Sequence, residues 1–116
     1  MPTFEFGDVV KAPFPYVERP VRQYRPALVV SGQDLLQAHG LVWLLMVTSA
    51  ENARWEDDVP IDDLPAAGLR APSVVRAAKI ATVQAADLQR LGRLSAAALQ
   101  QVREILLRRF HTATSP

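Results

Sequence analysis

The sequence predicts a mainly β fold of the α+β class: a small antiparallel five-stranded twisted sheet, curled into a partly closed barrel and followed by a C-terminal helix. Three observations predict it. Short β-rich runs follow one another with short connections through the first two thirds of the chain, the pattern of neighbouring antiparallel strands. One run, Leu41 to Val47, is apolar at every position, as a strand buried on both faces requires. Helical periodicity appears only at the end, where Leu99, Val102, Leu106 and Phe110 recur at steps of three and four residues.

The elements read in order. Val9 to Phe14 is a first strand opened by the Gly7-Asp8 turn signal, and Pro13 and Pro15 place its end at a sheet edge. Residues 15–24 form a loop. Ala27 to Ser31 is a second strand, after a proline tolerated at a strand's first position. Gln33 to His39 is a short helix stopped by Gly40. Leu41 to Val47 is the central strand, Ser49 to Asp57 a polar loop, and Val59-Pro60-Ile61 at most a short strand. Gly68 to Pro72 is a turn, and Ser73 to Val83 the longest strand. Ala85 to Leu91 reads as a short helix closed by Gly92, and Ser95 caps the final helix, with Arg108 and Arg109 in its last turn.

The 116 residues amount to a single domain, 1–116, with neither repeat nor linker. Hydrophobic residues make up 49% and charged residues 22%, the balance of an ordinary globular protein. The longest apolar run is far short of the roughly 20 residues a membrane-spanning helix needs. The N-terminus has neither a basic start nor an apolar signal core, so the expected location is cytoplasmic, with no membrane partner. The chain has no cysteine, which excludes disulfides, thiolate metal sites and cysteine nucleophiles. The two histidines, His39 and His111, lack partners by spacing, and Asp57-Asp58 and Asp62-Asp63 read as solvated surface acids. The expectation is therefore no metal and no cofactor.

The net charge of +1 is unevenly spread. Residues 51–63 carry six acids against Arg54, a balance of −5, which leaves +6 on the rest. Arginine outnumbers lysine eleven to two, and its planar fork suits phosphate and base stacking. Arg19, Arg22, Tyr24 and Arg25 cluster before the second strand, a composition that fits a groove for single-stranded RNA and equally fits an ordinary basic hairpin loop. Thr48-Ser49 ends the central strand, where a hydroxyl can donate to phosphate or cap the next turn. Trp55 lies in the polar loop, as a docked cover or an exposed stacking surface.

Read together, Gly7-Asp8-Val9-Val10, Arg25-Pro26-Ala27-Leu28-Val29-Val30-Ser31, Val47-Thr48-Ser49, Gly68-Leu69, Ser73-Val74-Val75-Arg76, Ile80-Ala81-Thr82-Val83 and Leu91-Gly92 resemble the MazF/PemK family of toxins from type II toxin–antitoxin pairs. The resemblance implies a five-stranded SH3-like barrel, a homodimer, and metal-independent, sequence-selective endoribonuclease activity on single-stranded mRNA, blocked by a cognate antitoxin. Carried over by position, Arg25 and Thr48 match the family's active-site arginine and threonine, and Arg76 a basic active-site position of the PemK branch. Arg19, Arg22, Tyr24, Ser49, Trp55, Arg76 and Lys79 form the expected RNA-binding set. The sequence departs from the pattern at Ala78, where that branch has an aspartate proposed as general base. It departs again in residues 15–24, where the only glutamate, Glu18, lies seven residues before Arg25 in a loop without glycine. Two other readings follow: a catalytically inactive relative that only binds and regulates, and a gyrase poison on the same architecture, which would need a tryptophan-bearing C-terminus that this chain lacks.

The chemistry has its own logic. RNA carries its nucleophile, the 2′-OH. An enzyme must align it with the scissile P–O bond and stabilise charge on the transition state. A guanidinium gives two parallel bonds to phosphate oxygens, which suits Arg25. With a pKa above about 12, arginine is a poor proton acceptor, so Arg25 is assigned to charge stabilisation and the base stays unassigned.

Overall fold

The computed structural model describes residues 3–15, 22–53 and 55–110. Six strands, β1 (Asp8–Pro15), β2 (Arg22–Val29), β3 (Leu41–Ser49), β4 (Asp58–Pro60), β5 (Ser73–Gln84) and β6 (Gln89–Arg93), form one antiparallel sheet in the order β4-β5-β3-β2-β1-β6. The sheet is open, with β4 and β6 at its edges. Three helices complete the fold: α1 (Gln33–His39), α2 (Leu64–Ala67) and α3 (Ala96–Arg109).

Strands apolar on both sides need cover on both sides, and two cores result. On one face, here the helix face, Val9, Leu28, Leu45, Val47 and Val75 pack against Ala98, Val102 and Leu106 of α3. Ser95 starts that helix by accepting a hydrogen bond from the Ala98 N–H at 3.1 Å. Phe110, expected to line the same stripe, is 57% exposed, because the helix runs past the edge of the core. The opposite face carries Val10, Ala12, Ala27, Val29, Val42 and Leu44, covered by Phe4 and by Leu36 of α1. Among the described residues that second core stops at Leu44 of β3, and Met46 and Thr48 beyond it are only partly buried, which makes this the open part of the face.

β3 is central, as expected, with Val42, Leu44, Leu45 and Val47 buried. It is not buried throughout, since Trp43 is 39% exposed beside the short α1. Its pairing with β5 shifts register between Leu45↔Ile80 and Met46↔Arg76, so Ala77, Ala78 and Lys79 form a three-residue bulge.

The structure corrects the reading of residues 85–91. Only Ala85–Asp87 make a 3₁₀ turn, and Gln89–Arg93 is the sixth strand, paired with β1. Leu88 and Leu91 are three apart, which mimics a helical step, but they pack on opposite cores. Gly92, read as a helix stop, instead allows a close approach. A Cβ there would lie 2.3 Å from the Ala66 carbonyl oxygen, and one on Gly68 would lie 2.1 Å from the Leu91 carbonyl oxygen. Gly68 also has φ 75°, which ends α2.

Candidate functional site

The sheet register brings separated residues into two rows on the open face. One row runs across β4, β5, β3 and β2 as Asp58, Arg76, Met46 and Ala27. The second row holds Pro60, Val74 and Thr48 across β4, β5 and β3, and Arg25 pairs with Ala12 across β2 and β1. The β2–β3 pairing ends at Ala27↔Met46, and Arg25 and Thr48 each lie two residues beyond that pair, on its face. Directly opposed residues of antiparallel strands share a face, so Arg25, Thr48 and Arg76 stand on one side of the sheet. Successive strand residues point to opposite faces, so Tyr24 lies on the other side, with the Lys11 ammonium 5.9 Å from its ring.

The local chemistry is polar and interlocked. The Asn52 amide donates to the Thr48 hydroxyl oxygen at 3.3 Å. A hydroxyl that accepts there keeps its own proton for another acceptor, such as a phosphate oxygen. Ser49 caps the 3₁₀ turn Ala50–Asn52, accepting from the Glu51 N–H at 3.3 Å. The Arg25 guanidinium donates to the Gln23 side chain at 3.0 Å.

Arg76 is held more firmly. Its Nε and Nη2 donate to Asp58 Oδ1 and Oδ2 at 3.1 and 2.9 Å, a paired fork, and Nη2 also donates to the Asn52 carbonyl at 2.6 Å. The hydrogen bond to Asp58 holds the Arg76 guanidinium above its already high ordinary pKa; desolvation opposes this and the Asp58 charge adds to it. The guanidinium carbon lies 4.4 Å from the Trp55 ring centroid and the Lys79 ammonium 5.5 Å from it, both at cation–π distance. Trp55 is 43% exposed, and its backbone N–H donates to Asp58 Oδ2 at 3.2 Å.

Thr48, Trp55, Arg76 and Lys79 of the expected set therefore form one connected surface, with Arg25 on the same face of the sheet. Arg19 lies outside the described residues, as do Glu18, Arg54 and His111, and Arg22 is described only as the first residue of β2. The acids expected to be solvated are instead engaged. Asp57 is 5% exposed, accepts from Arg108 Nη2 at 3.0 Å and pairs with Arg109. Asp62 accepts from the Ser95 hydroxyl at 2.6 Å, and Asp63 caps α2. Asp58, expected to be a solvated acid, and Asn52 carry no local signal of their role, because their partner Arg76 lies 18 and 24 residues away. Among the described residues no three histidine, aspartate or glutamate side chains gather in a metal-ligating group, and no helix is long and apolar enough to cross a membrane.

Comparison with known proteins agrees with this architecture. The chain resembles MazF in a MazE–MazF crystal structure from Deinococcus radiodurans, at 25% identity and TM-score 0.69, over 90% of this chain and 92% of that one. A MazF toxin of Mycobacterium tuberculosis is 25% identical, with TM-score 0.62, over 76% of this chain and 87% of its own. A mycobacterial endoribonuclease solved with its cognate antitoxin shares the fold at 18% identity and TM-score 0.67, over 93% of each chain. No curated protein matches the sequence. A family model described as PemK-like, MazF-like toxin of type II toxin–antitoxin system matches residues 5–110, and with nearly the whole chain so covered, this protein belongs to that family.

Proposed function

We propose that this chain is a metal-independent endoribonuclease that cleaves single-stranded mRNA at selected sequences through the RNA's own 2′-OH. The observation that supports the reading is that Arg25 and Thr48 stand on the same face of the sheet, just beyond the Ala27↔Met46 pair, in a chain of a toxin family. In the proposed step the 2′-OH gives up its proton to solvent as its oxygen attacks phosphorus, the P–O5′ bond breaks, and the leaving 5′-oxygen takes up a proton. Products end in a 2′,3′-cyclic phosphate and begin with a 5′-OH. Arg25 stabilises the charge that builds on the non-bridging oxygens, and Thr48 donates one further hydrogen bond that fixes the phosphate. Arg19, Arg22, Ser49, Trp55 and Lys79 line the path of the strand, with arginine meeting phosphate and Trp55 stacking a base, while Tyr24, on the other side of the sheet beside Lys11, stands away from it. Arg76 joins this surface through Trp55, its guanidinium being engaged with Asp58 and Asn52.

The same cytoplasmic protein would be a homodimer silenced by a cognate antitoxin, an acidic segment that orders on the basic groove and displaces RNA. Exposed Ile80, Leu107 and Phe110 around the end of α3 supply apolar area for a second copy to cover. The deciding experiment is cleavage of a long single-stranded RNA in EDTA, with a matched substrate bearing 2′-deoxyribose at the cut site. The ribose substrate is expected to be cut and the deoxyribose substrate to stay intact. Efficient cutting of the deoxy substrate overturns the mechanism, and an intact ribose substrate favours the inactive relative.

A further inference from the structure

Asp58 lies outside the residues to which the family resemblance points, yet it is where the open-face network converges. Its side chain is 5% exposed, and its oxygens accept hydrogen bonds from Arg76 Nε and Nη2 and from the Trp55 backbone N–H. From Arg76 the network continues to the Asn52 carbonyl, and from the Asn52 amide to the Thr48 hydroxyl. Asp57 faces the other way, into Arg108 and Arg109 at the end of α3. The segment between β3 and β4 is thus pinned from both sides by adjacent carboxylates, and only Asp58 is tied to the reacting face.

We infer that Asp58 is a positioning residue, which holds the Trp55 ring through Arg76 and its own N–H contact, and holds Thr48 in its donating orientation through Arg76 and Asn52. For its effect on cleavage this rests on the reading of Thr48 as a phosphate donor. Asp58→Asn is the informative change. It preserves shape and one acceptor, and it sets an NH₂ either against two donors, Arg76 Nη2 and the Trp55 N–H, or against Arg76 Nε. The Arg76 charge then lacks its counter-charge and becomes available to RNA.

Rate and affinity should therefore part company. In single-turnover cleavage of a long single-stranded RNA, Asp58→Asn is expected to lower the maximal rate by about 10- to 100-fold, the cost of a misplaced contact group. The RNA concentration for half-saturation should stay level or fall. Asn52→Ala, which removes the amide but keeps the carbonyl that Arg76 contacts, should slow the reaction similarly. The double variant should be within about threefold of the slower single one, since both act along one path. An independent readout uses the full chain carrying Trp43→Phe, which leaves Trp55 as the one indole. Acrylamide quenching of Trp55 should rise in Asp58→Asn and stay level in Asn52→Ala.

Unchanged Trp55 quenching in Asp58→Asn overturns the inference whatever the RNA does. So does a rate loss matched by an equal loss of affinity, or by the loss of folded protein in a melt. Multiplicative effects of the two substitutions overturn the Asn52 path. If the wild type leaves every RNA intact, the cleavage reading falls, and the quenching result alone decides whether Asp58 holds the loop.

Discussion

Gly92→Ala tests the close backbone approach between β6 and α2. The new Cβ would meet the Ala66 carbonyl oxygen at 2.3 Å, the Ala67 carbonyl carbon at 2.5 Å and the Gly68 nitrogen at 2.7 Å. All three are backbone atoms, so no side chain can swing aside. Ordinary contact begins near 3.4 Å, so α2 and β6 must separate by about 1 Å. That movement carries Ala67, which is fully buried, out of the helix-face core. Overpacking costs typically about 1–3 kcal/mol and sometimes more, and a rigid backbone wall places this change at about 3 kcal/mol. Gly68→Ala combines a contact of 2.1 Å with φ 75°, and the left-handed strain adds about 1–2 kcal/mol. Gly40→Ala is the control, with φ 66° and nothing within 4 Å of the added Cβ, so only the strain of about 1–2 kcal/mol is expected. Urea denaturation at one fixed protein concentration measures all three, since self-association would otherwise shift the midpoint. For a domain of this size, 3 kcal/mol is roughly 12–20 °C in melting temperature. Gly92→Ala within 1 kcal/mol of wild type, or no costlier than Gly40→Ala, would refute the reasoning.

Two further expectations concern the reacting face. Arg25→Ala should lower single-turnover cleavage by about 10³-fold or more and Thr48→Ala by about 10²-fold, the range for losing one preorganised donor. Stability should stay within about ±0.5 kcal/mol for Arg25→Ala, as for surface changes generally, which a melt run beside the kinetics checks. Arg25→Lys should restore only part of the rate, because lysine keeps the charge and loses the fork.

The sequence discloses elements whose signal is local. β3 announces itself as an unbroken apolar run, and α3 as a Ser95 cap followed by apolar steps that become Ala98, Val102 and Leu106 in the core. β6 stays hidden because Leu88 and Leu91 serve opposite cores of a strand while spaced like helix neighbours. α2 is hidden for a different reason. It is a single turn whose cap, Asp63, belongs to an acidic run that reads as surface charge. Arg25 and Thr48 are visible by resemblance, but their shared face follows from strand register, which spacing along the chain does not encode. Asp57 and Asp58 look alike as neighbours in the sequence. Asp57, in the turn before β4, meets Arg108 and Arg109 of α3, while Asp58, the first residue of β4, meets Arg76, which separates an anchor from a positioning group.

Alternation and the bulge also decide what Ala78 means. The PemK-branch pattern would place a carboxylate two residues after Arg76, and on a regular strand that position shares the face of Arg76. Here β5 gains three residues between Arg76 and Ile80 relative to β3, which breaks the rule. Ala78 lines a cavity of about 260 Å³ with Ala77, Ile80, Leu106, Arg109 and Phe110, at the end of α3. An aspartate at 78 would enter that apolar groove beside Arg109, where it would compete with Asp57 for the same guanidinium. Ala78→Asp is therefore expected to leave the cleavage rate within about threefold of wild type, the scatter of a change with no shared partner in the site. It should also weaken the attachment of the β3–β4 segment to α3, seen as a lower melting temperature. A gain of tenfold or more in single-turnover rate would show that position 78 reaches the scissile phosphate. The bulge would then not turn that residue toward the helix face, and the missing base, rather than the geometry around Asp58, would set the rate of this protein.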